Sequence, residues 1–169
     1  FGIGASGVII VQSLLGAACI WLAGLAAARL FGKRTGICAA VILALSRTHI
    51  FYTPNMLMAV VQSFWVMLLF YTSVAAYRRC QWWYWAVVGV VAGFSVITRG
   101  NMILFVPLIG LLALWVHRRR KGLAVAAVAV LAAASYLPQL PFAIVNYQAH
   151  GRWVGTSSAA ASVLALGNT

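Results

Sequence analysis

The sequence lacks acidic side chains altogether, since its 169 residues include 12 lysines and arginines but no aspartate and no glutamate. Without a carboxylate, the chain can form no internal ion pair between side chains, and general-base catalysis by Asp or Glu cannot be assigned to it. Two explanations stay open: this segment happens to contain none, or acidic residues have been lost from the sequence. Under either explanation the cationic side chains need partners of another kind.

Residues that hold metals or form disulfides are also few. Cys19, Cys38 and Cys80 are scattered without the spacing of a disulfide framework or metal site, and the 3 histidines are isolated from one another. No nucleophile–base pair is recognisable, nor is a glycine loop of the kind that binds phosphate. We therefore expect no metal site, and the sequence identifies no cofactor.

Hydrophobic residues dominate the composition. They make up 64% of the chain, charged residues make up only 7%, and the mean hydropathy is +1.00. These values indicate an integral membrane protein. The basic residues stand in short clusters between apolar runs, as topology signals do, so we expect no nucleic-acid partner. The chain begins at Phe1 without a basic leader region, which indicates an internal piece of a longer protein.

The apolar runs predict an all-α, polytopic transmembrane helix bundle with about six spans across residues 1–147. The clearest run, residues 55–77, has no charged side chain and would extend about 34 Å as a helix, slightly more than the hydrocarbon thickness of a bilayer. Residues 148–169 are small and semi-polar, which predicts an external loop or the start of a further segment. The predicted spans lie near residues 7–30, 35–53, 55–77, 82–98, 102–117 and 122–146.

The second predicted span contains polar residues at an unexpected place. Its apolar part runs from Thr35 to Leu45, about 16 Å of helix, which is too short to cross a membrane. Ser46, Arg47 and His49 follow it closely. Either Arg47 and His49 lie at membrane depth, or the helix is broken there.

Three local signals refine the helix assignments. The aromatic cluster of residues 82–85 is typical of the headgroup region. Gly89 and Gly93 have the four-residue spacing that lets helices approach closely, and we interpret them as a packing feature. Pro138 and Pro141 lack backbone N–H groups and should kink the last span.

Placing successive turns on opposite sides of the membrane separates the cationic residues unequally. One side collects nine lysines and arginines, whereas the other side collects only three arginines, Arg47, Arg99 and Arg152. Because cytoplasmic loops are enriched in basic residues, the first side is predicted to be cytoplasmic. The three remaining arginines then belong to the outer side, together with both ends of the chain.

The outer arginines are the main candidates for binding. Ionisable groups within or at the edge of a membrane are costly unless a partner meets them, and arginine binds phosphate through paired hydrogen bonds. We predict that Arg99 and Arg47 bind a lipid phosphate. Plainer interpretations stay open, since an arginine at a helix end can reach lipid headgroups, a tyrosine can anchor at the interface, and Arg152 can be solvated in a loop. The other residues predicted at similar depth are His49, Tyr52, Asn101, Asn146, Tyr147 and His150.

Several short motifs, taken in order, resemble polytopic glycosyltransferases of the GT-C fold. The groups concerned are the bacterial relatives of protein O-mannosyltransferases and the aminoarabinose transferases, including the rhizobial lipopolysaccharide glycosyltransferase-like domain. The motifs are Ala28-Arg29-Leu30-Phe31-Gly32-Lys33-Arg34-Thr35-Gly36, Ala44-Leu45-Ser46, Ile50-Phe51-Tyr52, Leu57-Met58, Ile97-Thr98-Arg99-Gly100-Asn101, Leu137-Pro138, Asn146-Tyr147 and Gly151-Arg152-Trp153-Val154.

This resemblance implies an enzyme of the bacterial inner membrane that moves a sugar from a polyprenyl-phosphate donor to an acceptor on the periplasmic or extracellular face. It implies a catalytic aspartate upstream of the span near 7–30, and donor-phosphate binding by Arg99, where relatives often carry Arg or Lys. The sequence departs from the family pattern at Ala59 and Val60, where relatives commonly have a glutamate, and at Arg47, where they often have proline.

Two other classes of function stay open. A transporter or flippase subunit would bind an anionic lipid or solute near mid-membrane, but the internal repeat that is usual in transporters is not visible in the sequence. A membrane scaffold without a ligand would leave the outer arginines unexplained. We prefer the glycosyltransferase interpretation, with the catalytic residues of this segment unidentified.

Overall fold

The described residues are helical and contain no strand. The computed structural model describes residues 3–53 and 58–151, and for residues 3–5, 149 and 150 it describes the backbone alone. Two 3₁₀ segments, Gly100–Leu104 and Leu137–Gln139, precede α6 and α8. The prediction of an all-α fold is confirmed. The helices are α1 (Ile3–Phe31), α2 (Lys33–Ala44), α3 (Arg47–Tyr52), α4 (Met58–Arg79), α5 (Tyr84–Thr98), α6 (Phe105–Val116), α7 (Lys121–Tyr136) and α8 (Leu140–His150).

Three helical segments of the described chain are long and apolar enough to cross a bilayer. They are Ser6–Phe31, Met58–Arg79 and Lys121–Gln148, and two shorter apolar segments are Tyr84–Thr98 and Gly100–Val116. These segments confirm the predicted class, a polytopic membrane helix bundle. The division into about six spans stays a prediction.

The predicted second span is broken. α2 has 12 residues, about 18 Å, and ends at Ala44. Ser46 is extended, with a ψ of 116°, and α3 begins at the next residue. The interruption expected near Arg47 and His49 is therefore a break between two helices. Pro54 and Asn55, where the third span was predicted to begin, lie outside the described residues, and α4 is described from Met58.

Residues 1–79 form one compact unit, in which α1 packs against both α2 and α4. In this unit α1 buries Cys19 and Ala26. Towards the end of α1, the guanidinium carbon of Arg29 lies 4.3 Å from the centre of the Tyr71 ring on α4, which is a cation–π contact. An arginine of the predicted cytoplasmic side thus has an aromatic ring as its partner.

The described residues from Cys80 onward form a second compact unit, in which α7 packs against α5 and α6. Both glycines of α5 face α7 at very short range. A Cβ atom at Gly89 would lie 2.5 Å from the carbonyl oxygen of Leu131, and a Cβ atom at Gly93 would overlap the carbonyl oxygen of Ser135. Their missing side chains let the two helices approach closely, which confirms the packing interpretation.

The last long segment changes to a 3₁₀ turn at its prolines, where a kink was predicted. A 3₁₀ turn containing Pro138 separates α7 from α8, and Pro141 follows in the first turn of α8. Proline removes a backbone donor, so a helix loses a hydrogen bond where it occurs. At this break the side-chain amide of Gln139 donates a hydrogen bond to the Ser135 carbonyl oxygen at 2.9 Å.

A buried hydrogen bond joins α5 to the end of α6. Trp85 is fully buried, and its indole Nε1 donates to Nε2 of His117 at 3.2 Å. Because Nε2 accepts this bond, the proton of the neutral ring is on Nδ1. Trp82 and Trp83 are 44% and 47% exposed, as expected for the headgroup region, whereas Trp85 is a core residue. The aromatic cluster therefore divides between the interface and the interior of this unit.

Replacing Gly93 by alanine should destabilise the second unit, because the added methyl group would overlap the Ser135 carbonyl oxygen and the Pro138 ring. Overpacking of this kind costs roughly 1–3 kcal/mol, measurable as a lower free energy of unfolding of the purified protein in mixed micelles. Gly110→Ala is the matched control, since the nearest atom to its added methyl would be 3.9 Å away. Equal destabilisation by the two substitutions would contradict the packing argument.

Candidate functional site

Three predicted site residues come together on α3. Arg47, His49 and Tyr52 all belong to this six-residue helix, none of whose residues is buried. The helix begins after the extended residue Ser46, and at its other end the Thr53 hydroxyl donates to the His49 carbonyl oxygen at 2.6 Å. The break after α2 therefore presents a short polar helix separately from the apolar span before it.

His49 links α3 to α1. Its Nε2 atom lies 3.1 Å from the carbonyl oxygen of Gly16. A carbonyl oxygen only accepts hydrogen bonds, so Nε2 donates, and in the neutral imidazole Nδ1 keeps a lone pair. The glycine makes this approach possible, because a Cβ atom at Gly16 would lie 2.7 Å from Cγ2 of Thr53, the residue after α3.

The contact with Gly16 places His49 beside the middle of the α1 segment. Along the helix axis, Gly16 is about 15 Å from Ser6 and about 22 Å from Phe31, the two ends of the α1 span. The hydrocarbon core of a bilayer is about 30 Å thick. His49 therefore contacts α1 near the middle of this candidate span. Of the two alternatives for this region, the break in the helix is observed, and the membrane depth of Arg47 and His49 stays a prediction.

α3 contributes to two depressions in the surface of the first unit. The first is an open groove of about 710 Å³, lined by Arg47, Thr48, Ile50, Phe51 and Tyr52. The Phe51 and Tyr52 rings pack edge to face, with their centroids 5.3 Å apart. The groove thus combines one guanidinium with apolar and aromatic surface, which suits an anionic headgroup attached to a hydrocarbon chain.

The second depression is a partly enclosed cavity of about 220 Å³. No charged side chain of the described residues lines it. Thr48 and Tyr52 line both depressions, so the two share a wall. Its apolar lining is Leu43, Ala59 and Val60, and its polar lining is Ser46, Thr48, His49, Tyr52, Thr53 and Ser63.

The second unit contains Arg99 and Asn101, predicted for the same outer side. Arg99 ends α5 in an extended conformation, with φ −151° and ψ 113°, and its backbone N–H donates to the Ser95 carbonyl oxygen at 3.0 Å. The side chains of Arg99 and Asn101 are exposed. Neither contributes to the interior of this unit, which leaves both side chains accessible to a ligand.

The other candidates lie at the end of the described chain. Asn146 and Tyr147 are on α8, where Asn146 is half-buried and Tyr147 is 45% exposed. α8 continues to His150 and ends at Gly151, whose φ of 64° is left-handed. Residues 148–150, predicted to belong to an external loop, are therefore helical. Arg152 lies outside the described residues.

The sequence reasoning missed the hydroxyl side chains of the cavity and the glycine that supports it. Ser46 and Thr48 follow an apolar run directly, so the polar run itself carried a usable signal. No such signal marked Gly16, because nothing in the sequence distinguishes it from Gly7 on the same helix. Only the contact between α1 and α3 distinguishes the two glycines.

Comparison with protein families identified a match. A family model described as dolichyl-phosphate-mannose-protein mannosyltransferase matches residues 1–144. The matched range includes α3 and the lining of both depressions. Comparisons with curated proteins and with solved structures found no match.

Replacing Gly16 by alanine should loosen α3, because the added methyl group would overlap Thr53 and separate His49 from the Gly16 carbonyl oxygen. Losing about 1–2 kcal/mol of local stability corresponds to roughly 5- to 30-fold faster amide exchange. Hydrogen–deuterium exchange of residues 47–53 in lipid nanodiscs measures this change. Gly7→Ala is the matched control, since nothing lies within 4 Å of its added methyl. Equal exchange in both variants would contradict the role given to Gly16.

Proposed function

Since the chain belongs to the dolichyl-phosphate-mannose-protein mannosyltransferase family, we propose that it transfers a sugar from a polyprenyl-phosphate donor to an acceptor on the outer face of the membrane. Its family makes it a membrane glycosyltransferase, and its apolar helices make it an integral membrane protein. The proposed location is the bacterial inner membrane, with a periplasmic or extracellular active face. The unequal distribution of basic residues between the two sides supports this orientation.

The groove at α3 is the observation that carries the proposal. Arg47 is exposed there, and the sequence contains no carboxylate that would neutralise it. A cation at membrane depth is costly without a partner, and a phosphate is a partner that a guanidinium binds with two hydrogen bonds. Ile50 and Phe51, which are 57% and 65% exposed, provide apolar surface for the isoprenoid chain beside the phosphate.

Arg99 is proposed as a second donor-phosphate residue, independently of the groove. Its exposed side chain at the end of α5 and the motif from Ile97 to Asn101 support this role. Asn101, Asn146 and Tyr147 remain candidates for contact with the donor or the acceptor. Because the two units are described separately, each of these roles needs its own test.

The residues of this segment suit binding and charge stabilisation. In the transfer, an acceptor hydroxyl oxygen forms a bond to the anomeric carbon, the bond from that carbon to the phosphate oxygen breaks, and the polyprenyl phosphate leaves with the electron pair. Arg47 would stabilise the negative charge that develops on the leaving phosphate. The acceptor proton is proposed to go to a carboxylate outside this sequence, since the sequence contains none.

Family membership favours transfer over the alternative of a transporter or flippase subunit for an anionic lipid or solute. The two can be separated with the purified full-length protein in liposomes that contain a polyprenyl-phosphate sugar. Formation of a glycosylated acceptor supports the proposal. Movement of the lipid across the bilayer without any glycosyl product would overturn it.

Arg47→Gln should weaken the binding of a polyprenyl phosphate about 10- to 100-fold, because it removes hydrogen bonds between a charged donor and the phosphate. Titration of a short-chain polyprenyl phosphate into nanodisc-bound protein measures Kd. Arg119→Gln is the matched control, since Arg119 is exposed in the basic turn between α6 and α7. Equal Kd values for the two variants would remove Arg47 from the donor site. Arg99→Gln tests the second arginine in the same assay.

The predicted orientation can be tested with the native cysteine that follows α4. Cys80 is exposed and comes directly after Arg78 and Arg79, on the side predicted to be cytoplasmic. In a variant that keeps only this cysteine, a membrane-impermeant maleimide should label intact cells poorly and permeabilised cells fully. Asn101→Cys, in the same background without Cys80, should react in intact cells. The reverse pattern would invert the topology and place Arg47 and Arg99 on the wrong side for the proposed reaction.

A further inference from the structure

The cavity beside the groove has a lining that fits a neutral ligand rich in hydroxyl groups. Four hydroxyl side chains, one imidazole and one phenol line it, and no charged side chain of the described residues does. We infer that this cavity binds the sugar of the donor while Arg47, in the adjoining groove, binds the phosphate. The inference rests on the proposed function, and it assigns a second part of the donor site to named residues.

The hydrogen bonds already made in the cavity decide which ligand groups it can accept. The hydroxyls of Thr53 and Ser63 donate to the carbonyl oxygens of His49 and Ala59 at 2.6 and 2.8 Å, so their oxygen atoms remain as acceptors. His49 donates through Nε2 to Gly16, which leaves Nδ1 of the neutral ring as an acceptor. A lining of acceptors needs a ligand with several O–H donors, and a sugar supplies them.

Ser46 adds a hydroxyl that forms no hydrogen bond with the described residues. It precedes α3 at the capping position, yet its side chain forms no capping hydrogen bond. Both hydrogen-bonding capacities of this hydroxyl, donor and acceptor, are therefore open to a ligand in the cavity.

The arrangement of the two depressions matches the covalent structure of a glycosyl phosphate. Thr48 and Tyr52 line both of them, so a ligand group in the groove is next to a ligand group in the cavity. In a glycosyl phosphate, a single oxygen joins the sugar to the phosphate. A phosphate held by Arg47 would therefore leave the sugar within reach of the cavity.

The size of the cavity limits the sugar. Its volume of about 220 Å³ is less than a third of the 710 Å³ of the groove, and it is below the roughly 300–1,000 Å³ of pockets that enclose drug-sized ligands. This space suits one monosaccharide rather than an oligosaccharide. The cavity would thus select donors that carry a single sugar, whereas the groove would recognise the lipid phosphate that all such donors share.

The test compares two probes on the full-length protein in nanodiscs, a short-chain polyprenyl phosphate and the same lipid carrying one mannose. Ser46→Ala should weaken binding of the glycosylated probe about threefold to tenfold, the usual effect of losing one hydrogen bond. Ala59→Leu, which fills the cavity, should weaken it more strongly. Neither substitution should change the Kd of the bare polyprenyl phosphate. Matched controls are Ser13→Ala and Ala17→Leu, at exposed positions of α1.

Three outcomes would overturn the inference. If both cavity variants bind the glycosylated probe as the controls do, the sugar binds elsewhere. If they weaken both probes equally, the substitutions disturb the fold around α3 and the cavity has no specific role. If a probe carrying three sugars binds as tightly as one carrying a single mannose, the size limit is wrong. In all three cases, binding of the bare lipid that still depends on Arg47 would leave the proposed function intact, whereas failure of the unmodified protein to bind either probe would overturn both.

Discussion

A polar group inside hydrocarbon is stable only when it has a hydrogen-bond partner, and the short helix α3 meets this requirement through one long-range contact. Isolated six-residue helices do not form stably in water, and unpaired polar groups are more costly still in a membrane. The bond from His49 to the Gly16 carbonyl oxygen pairs the Nε2 donor of the imidazole and fixes α3 against α1. The groove and the cavity both depend on this contact, because both are lined by residues of α3.

Because the sequence contains no carboxylate, its arginines must pair with other groups, and they differ in which groups they contact. Arg29 lies over the ring of Tyr71 at 4.3 Å, and Arg118 lies over the ring of Trp115 at 4.9 Å. Both belong to the predicted cytoplasmic side, where water and headgroups also screen the charge. Within the described residues Arg47 has no ring contact of this kind, and it lines a groove instead. A ligand in that groove can supply the partner that the protein does not.

The features that were predicted correctly depend on residues that are close together in the sequence. Apolar run length predicted the long helices, Pro138 predicted an irregularity where the 3₁₀ turn lies, and the polar residues after Leu45 predicted the interruption. The packing of α3 against α1 and the cavity were not predictable, because they depend on contacts between residues that are distant in the chain. Trp85 shows the same limit. Its place in an aromatic cluster predicted a position in the headgroup region, and nothing in the sequence indicated its hydrogen bond to His117.

The break between α2 and α3, in the predicted second span, has a structural use that explains why a costly irregularity can be retained. Irregular backbone at membrane depth is tolerated where it lines a cavity or is buried in protein. Around this break, residues 46, 48, 49, 52 and 53 line a cavity. A ligand that binds the folded state alone stabilises it in proportion to the logarithm of its concentration over Kd. A phosphate bound by Arg47 would therefore offset the free-energy cost of an unpaired cation in a membrane. A bound sugar would likewise offset the cost of cavity hydroxyls that lack hydrogen-bond partners. On this argument the donor lipid completes the hydrogen bonding of α3. Donor binding should therefore raise the local stability of this helix.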